Sequence, residues 1–426
     1  MARASHHTQA RQAAEHTVRT LTGAGHTAYF AGGCVRDELL GLTPTDYDVA
    51  TDATPDRISA LFPRTSEVGA HFGVVLVKID AEVIEVATFR ADGDYSDRRR
   101  PDSVTFSNPQ DDARRRDFTV NALFLDPLPD GPPPHPAASV VPLPGRGRVI
   151  DFVQGIPDLE ARTLRAVGDP DQRLAEDHLR ALRAARLAAR LSLAIDPATA
   201  DAIRRHARDL LGVSRERIGE EVRRMAEHPS RAAAAGLVHE LGLETPVFTW
   251  AGPSRPRTWR VLSALPPDSG FGTALAAWAL DLGIQPPDAP RLVQAWRQAL
   301  MLSNDHKAQL AAILNTLPIL ELGLHSRPVA QQKRLAAGPW FGEALTVLSA
   351  ANPPAAATVR AQVRTLAQTA SGLWPQPFIT GDDLVAMGLA PGPRFKAILD
   401  TVLDAQLEDR IGNREQALEL ARGLSV

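Results

Sequence analysis

The spacing of hydrophobic positions changes about a third of the way along the chain. Up to about residue 158 they come in short runs. "TAYFAGG" reads as a strand entering a tight turn, and "CVRDELLG" as a short helix stopped by Gly41. "DYDVAT" alternates with a period of two, and "TPDRISALF" offers Thr54 as N-cap with Pro55 at the first helical position. "GVVLVKIDAEVIEVATF" predicts two strands around a turn near Asp80, and "FTVNALFLD" one more. From about residue 159, Leu and Ala recur at spacings of three and four, as in "AEDHLRALRAARLAARLSLA" and "PATADAIRRHARDLLG", and the pattern stays helical to the end. The expected fold is an α+β head (1–158), a mixed sheet with helices, followed by an all-α neck (159–228), body (229–372) and tail (373–426). Residues 128–147, "LPDGPPPHPAASVVPLPGRG", interrupt the pattern and read as a surface loop or insertion rather than a core element.

Composition narrows the picture. At 44 % hydrophobic, 426 residues can bury a sizeable core. No run of eighteen apolar residues exists, so no membrane span is expected. The start, "MARASHHTQARQAAEH", lacks the apolar stretch of a secretory signal. The single cysteine, Cys34, excludes an internal disulfide and fits the reducing cytoplasm. With no histidine near it in sequence, it reads as a small buried thiol rather than a nucleophile. The net charge of −3 does not by itself point to nucleic acid. Of 47 cationic residues, however, only Lys78, Lys307, Lys333 and Lys396 are lysines. Arginine's planar fork suits phosphates and base edges. A metal phosphohydrolase domain would need an adjacent His-Asp pair, and none of the twelve histidines is followed by Asp. "NDHK" at 304–307 has the reverse order and reads as a helix cap.

Candidate chemistry concentrates in "FAGGCVRDELLGLTPTDYDVATD". Alternate residues of a strand share a face, so Asp46 and Asp48 point the same way. Two adjacent carboxylates repel unless a cation lies between them. Mg2+ takes one or two carboxylates together with substrate phosphates. Gly32 and Gly33 would let backbone amides approach a triphosphate closely, and Arg36 would reach the same phosphates from the first helical turn. The spacing reads as a site for a nucleoside triphosphate and Mg2+. Each part alone is commonplace, since most D-x-D pairs are simply solvated and most Gly-Gly pairs are turns. The combination is not.

"GGCVRDELLG" with "DYDVAT" resembles the signature of the polymerase-beta-like nucleotidyltransferase superfamily. More closely it resembles the bacterial-type (class II) tRNA CCA-adding enzymes and poly(A) polymerases. "DARRRDFTVNALFLD" is similar to the R-R-D-F-T-x-N-A motif of that family, which implies Arg116, Asp117 and Asn121 at the nucleotide. "AEDHLRALRAARLAARL" resembles its E-D-x-x-R-x-x-R neck motif, and "GVSRERIGEEVRRM" the segment that follows. The tail from "ITGDDLVAMGL" onward is similar too, so the likeness runs through most of the chain and is weakest over 230–370. The Pro-rich stretch 128–147 departs from it.

The resemblance implies template-independent addition of nucleotides to tRNA, with ATP and CTP as substrates, Mg2+ as cofactor and pyrophosphate as product. In such enzymes the neck pair selects the incoming base. Asp177 and Arg180, three apart on an expected helix, would share a face and offer an acceptor and a fork of donors. Arg183 and Arg186 continue that ridge. Taken without the head motifs, the same pattern is an ordinary salt-bridged helix face. Glu85, read as a charge on a strand face shared with Val83, Ala87 and Phe89, is a third metal ligand, an acceptor for the primer 3′-hydroxyl proton, or an edge-strand ion pair. "DGDYSDRRRPDSV" (92–104) corresponds to the loop that helps position the primer end, and its length argues against an enzyme adding C alone. "SEVGAHFGVVLV" resembles the CCA-type version of this segment rather than the basic one of the poly(A) polymerases. Full CCA addition and addition of the terminal A alone stay open, with poly(A) synthesis as the alternative. An inactive RNA-binding scaffold is opposed by the intact Asp46, Asp48 and Arg116.

Overall fold

Strand β1 (Ala28–Ala31) is buried along its whole length and lies between two neighbours in an eight-stranded sheet of order β3-β4-β5-β2-β1-β8-β10-β9. The other strands are β2 (Asp48–Thr51), β3 (Thr65–Glu67), β4 (Val74–Ile79), β5 (Glu82–Thr88), β8 (Phe124–Asp126), β9 (Ser139–Leu143) and β10 (Gly147–Asp151). Within this sheet, among the described residues, β2–β5 is the parallel pair, and its register sets Asp48 opposite Glu85. The computed structural model describes residues 2–67, 73–93, 103–128, 138–250 and 258–425. These divide into two units, residues 1–218 with 237–247, and 219–236 with 248–426.

In the first unit, α1 (Ala2–Gly23), α2 (Gly33–Leu39), α3 (Pro55–Leu61) and α4 (Pro109–Arg114) accompany the sheet, with a small hairpin of β6 (Arg90–Asp92) and β7 (Val104–Phe106). Tyr29, Phe89 and Phe124 meet as an aromatic cluster, with ring centroids 5.8–6.3 Å apart. Burying each such ring contributes about 1.5–3 kcal/mol. α5 (Gly155–Glu160), α6 (Pro170–Glu176), α7 (Arg180–Leu191) and α8 (Pro197–His206) follow. Within this helical stretch β11 (Thr163–Leu164) pairs in parallel with β12 (Ala194–Ile195). α9 (Arg215–Ala226), α10 (Arg231–Glu240) and α11 (Glu244–Phe248) run across the division between the units.

The second unit is helical: α12 (Arg260–Ala264), α13 (Phe271–Asp281), α14 (Ala289–Ala299), α15 (Asn304–Leu322), α16 (Val329–Ala336), α17 (Phe341–Ala351), α18 (Pro353–Ala367), α19 (Gly381–Ala386), α20 (Pro393–Leu407) and α21 (Arg414–Ser425). Phe248 stacks on Trp296 at 4.6 Å and meets Trp278 edge-on at 5.0 Å. Ile379, Leu384, Ile398, Val402, Ala417 and Ala421 form a separate core near the C-terminus.

The α+β head and helical remainder agree with the sequence pattern, and four local readings change. Thr119–Asn121 is a 3-10 turn, so only the end of "FTVNALFLD" is strand. Ser139–Leu143 of the Pro-rich stretch is an edge strand, tolerating Pro142 there because an edge needs fewer ladder donors. Residues 129–137 of that stretch lie outside the described residues. So do 68–72 of the CCA-type segment and 94–102 of the primer-loop segment. Thr54 caps α3 by position, without a side-chain hydrogen bond. The neck is not one helix: Asp177, at φ −149° and ψ 102°, ends α6 before α7 begins.

Candidate active site

The β1–α2 turn, β2, β5, the 115–121 segment and the 177–186 neck all belong to the first unit. Alternation survives through the D-x-D stretch although the ladder starts at Asp48: Tyr47 and Val49 are buried while Asp46 and Asp48 are exposed. Glu85 lies beside Asp48 across the parallel pair and is also exposed. Its strand face is the solvent-accessible one, with Val83 56 % exposed, so the expected apolar setting is absent. Partial desolvation, then the charges of Glu85 and Asp46, push the Asp48 carboxyl up to about 7, with Arg116 pulling it back. The Glu85 carboxyl is raised by partial desolvation and by Asp46. Such mutually destabilised carboxylates are the donor set that a hard dication relieves. Asp46 and Asp48 therefore fit the implied Mg2+.

Gly32 has φ +78°, and a Cβ there would come within 3.0 Å of Arg116 Nη1. Its N–H donates to the Leu123 carbonyl at 3.0 Å, so this amide is engaged inward rather than presented to a phosphate. Gly33 opens α2 and packs near the Arg36 guanidinium. Arg36 does not project outward as the spacing suggested. It is buried, donates to Asp37 Oδ1 from Nε at 2.8 Å and from Nη2 at 2.6 Å, and donates from Nη1 to Asn121 Oδ1. Asn121 in turn donates to Asp117 Oδ1 at 3.2 Å, and Arg183 Nη2 lies 2.9 Å from Asp117 Oδ2. Arg190 closes the other end on Asp37 Oδ2 at 3.2 Å. This polar chain ties the β1–α2 turn to the 117–121 segment and to α7. Burial would raise the Asp117 carboxyl, but Arg183 and Arg180 outweigh it and hold it below the usual range. Arg116 is braced by Asp112 Oδ2, at 3.1 and 2.9 Å, and lies over the Phe124 ring at 5.2 Å. Burial pushes the Cys34 thiol up to about 12, which removes it as a nucleophile at neutral pH.

In the neck, Asp177 and Arg180 meet across a turn rather than along a helix face. Asp177 Oδ1 accepts from Leu179 N at 3.1 Å, and its carbonyl from Arg180 N at 3.0 Å. Aspartate favours such local capping over continuing a helix. Arg217 of α9 donates to Asp177 Oδ2 at 2.6 Å. Arg180 is held by Glu176 Oε2 at 2.5 Å and by the Arg173 carbonyl at 2.7 Å. Arg186 lies six residues further along α7, half-buried.

Residues 28–165 match the family described as Poly A polymerase head domain, and 192–249 that of the probable RNA and SrmB-binding site of polymerase A. A CCA-adding enzyme of Lactiplantibacillus plantarum is 32 % identical over 422 residues, covering 96 % of this chain and 94 % of the relative. The chain belongs to the CCA-adding enzyme family, and is a nucleotidyltransferase. A CCA-adding enzyme of Geobacillus thermodenitrificans is 42 % identical over 231 residues, 54 % of this chain and 52 % of the relative. Among solved structures, the CCA-adding enzyme of Bacillus stearothermophilus in complex with CTP aligns with a TM-score of 0.77 at 28 % identity, over 97 % of each chain. The family's head motifs are thus gathered here with their braces. Sequence reasoning did not name Asp37, Asp112, Arg190 or Arg217. Arg217 lay inside a segment singled out by resemblance, but only the fold shows which side chain it holds. No helix among the described residues is long and apolar enough to cross a membrane.

Proposed function

We propose that this chain builds or completes the 3′-terminal CCA of tRNA from CTP and ATP, releasing pyrophosphate. The observation that carries the reading is the Asp46–Asp48–Glu85 grouping on the open face of the sheet, with the Asp48 carboxyl raised by partial desolvation and then by the charges of Glu85 and Asp46. The relatives named as CCA-adding enzymes support the choice of RNA and nucleotides. When bound, Mg2+ at Asp46 and Asp48 would favour attack by the primer hydroxyl and departure of pyrophosphate. Glu85 adds negative charge beside Asp48. Arg116, held by Asp112, offers a guanidinium near the glycine turn to a phosphate. Gly32, Gly33, Arg36, Asp117 and Asn121 keep that turn and the neck in register, Arg36 as a positioning residue. Asp177 and Arg180, oriented by Arg217 and Glu176, read the base edge, with Arg183 and Arg186 alongside.

The head (1–158) carries catalysis in this reading, the neck (159–228) base choice, and the body (229–372) and tail (373–426) the acceptor arm of tRNA. Arginine-rich helical surfaces would meet RNA phosphates by charge, so tRNA affinity should fall steeply with salt, and a flat response would remove this docking mode. The lone buried thiol of Cys34 and the RNA substrate support a cytoplasmic setting.

The test incubates the protein with tRNAs ending before the CCA, after C and after CC, with CTP and ATP supplied separately. Extension by A alone, only on the CC-ended tRNA, defines a terminal-A enzyme. Long A tracts would define a poly(A) polymerase and overturn the proposal. On the CC-ended tRNA, kcat/KM for the four nucleotides reads the neck. Asp177→Ala and Arg180→Ala should lower the correct rate and narrow its advantage, because mismatched buried donors and acceptors are what discriminate. Unchanged ratios would remove the base-reading role.

A further inference from the structure

His206 is the last residue of α8, and both of its ring nitrogens face carboxylate oxygens. Nδ1 lies 2.8 Å from Asp209 Oδ2 and Nε2 lies 3.2 Å from Asp171 Oδ1. A neutral imidazole carries one N–H, so one of these approaches sets a ring lone pair against an anion. The same Asp209 oxygen lies 3.9 Å from Nδ1 of His178, a buried residue in the turn between α6 and α7. The two imidazoles stack, with centroids 6.3 Å apart and planes 22° apart. One ligand atom from each of His178, His206 and Asp209 lies within 4.8 Å of the others. Among the described residues this is the group of His, Cys, Asp and Glu side chains drawn together that closely.

A tetrahedral Zn2+ with bonds of about 2.0–2.1 Å holds its ligands roughly 3.4 Å apart, between the two separations measured to Asp209. Since the three ligand atoms lie within 4.8 Å of one another, closing the trio on an ion needs a movement of at most about 1.4 Å at any pair. Asp171 completes the arrangement from outside. Arg205 holds it bidentately, Nη2 donating to Oδ2 at 2.6 Å and Nε to Oδ1 at 3.1 Å, and Oδ1 also faces His206 Nε2. That would keep the proton on Nε2 and leave the Nδ1 lone pair for a cation, the usual way a carboxylate orients a metal-bound imidazole. His206 and Asp209 stand three apart across the α8 end and the 3-10 turn after it, which places them on one side.

We propose that His178, His206 and Asp209 bind a borderline-soft dication of the Zn2+ type, with a fourth position for water. The site differs in kind from Asp46 and Asp48, whose all-oxygen donors suit Mg2+. Because His178 follows Asp177 directly, a bound ion would tie the α6–α7 turn to the end of α8. The consequence for nucleotide choice rests on the proposed base-reading role of Asp177 and Arg180, whereas binding itself does not.

The test uses the full chain without an affinity tag, stripped of metal by chelator. It carries His6→Ala and His7→Ala, which removes two histidines adjacent in sequence from the competition for Zn2+. Titration with Zn2+ alone should show one equivalent bound at Kd of about 10⁻⁶ M or tighter, and Co2+ should give the visible bands of a tetrahedral complex. A hundredfold excess of Zn2+ over Kd should raise Tm by about 5–10 °C. His178→Ala, His206→Gln and Asp209→Asn should each weaken binding at least tenfold, as should Asp171→Asn through His206. Asp209 is half-exposed, so Asp209→Asn keeps the test interpretable if His178→Ala fails to fold. Absence of saturable uptake at 100 µM Zn2+, or an unchanged Kd in Asp209→Asn and His206→Gln, would overturn the site in favour of a protonated histidine between two carboxylates. Binding that leaves the CTP and ATP rates unaltered would uphold the site and overturn its link to nucleotide choice.

Discussion

Two sets of cations, one in each unit, are held in different ways. In the first, Arg116, Arg183 and Arg190 pair with Asp112, Asp117 and Asp37, yet their side chains stay 19 %, 40 % and 33 % exposed. In the second, Arg231 and Lys333 are sealed in and satisfied by neutral oxygens. Arg231 donates to the carbonyls of His228, Pro266 and Pro267, and Lys333 to the hydroxyls of Thr369 and Ser371 at 2.6 and 2.7 Å. Burial lowers the pKa of both. A guanidinium braced by a carboxylate but still open to water can meet an incoming phosphate. One whose donors end on protein carbonyls is part of the packing. Arg36 shows that location alone does not decide, since it sits in the glycine motif and is buried like Arg231.

The largest effect should come from the open carboxylates. Asp46→Ala or Asp48→Ala should lower nucleotide addition by about 10³-fold or more, since loss of a metal-polarised step costs several kcal/mol. Affinity for tRNA, measured by filter binding, should hardly change. Comparable turnover by the double variant would remove these residues from catalysis.

Arg231→Met should act in the opposite sense. It leaves the Pro267 carbonyl without its donor, while the carbonyls of His228 and Pro266 keep backbone N–H donors, and it should cost about 1–3 kcal/mol in urea unfolding of the second unit. The rate per folded molecule should stay at the wild-type level. A rate loss without a stability loss would break the contrast drawn above.

A smaller effect is expected from Asp48→Asn in metal-free protein. The folded Asp48 carboxyl is raised to about 7, so the folded state holds a proton that the unfolded chain has already released. The stability linked to that proton is present at low pH and is lost as pH rises through about 7. Asp48→Asn removes this loss. Its unfolding free energy relative to wild type should rise between pH 5 and 7.5 and then level off. The gain is about 1 kcal/mol, because the site is solvent-accessible and screened. Adding Mg2+ should stabilise wild type more than the variant.

The smallest change belongs to Arg190→Met, which cuts one partly exposed ion pair. About 0.5–1 kcal/mol of stability should be lost. KM for nucleotide should rise more than kcat falls, because Asp37 would then hold the polar chain from one end. Equal loss in both parameters would count against a positioning role.

The sequence by itself determined the class of fold and singled out the candidate reacting groups. Period-two and period-three-to-four spacings follow from backbone geometry, so β2, β4, β5 and α7 could be read directly. The exposed Asp46 and Asp48 could be read for the same reason. The tertiary structure decided what depends on partners distant in sequence. It made "VVPL" an edge strand, broke the neck at Asp177, turned the Gly32 amide toward Leu123 and moved Arg36 from phosphate binder to brace. It also brought His178, His206 and Asp209 together. Each of these is set by a contact between segments that no local pattern records, because hydrogen bonds and ion pairs depend on distance in space rather than along the chain.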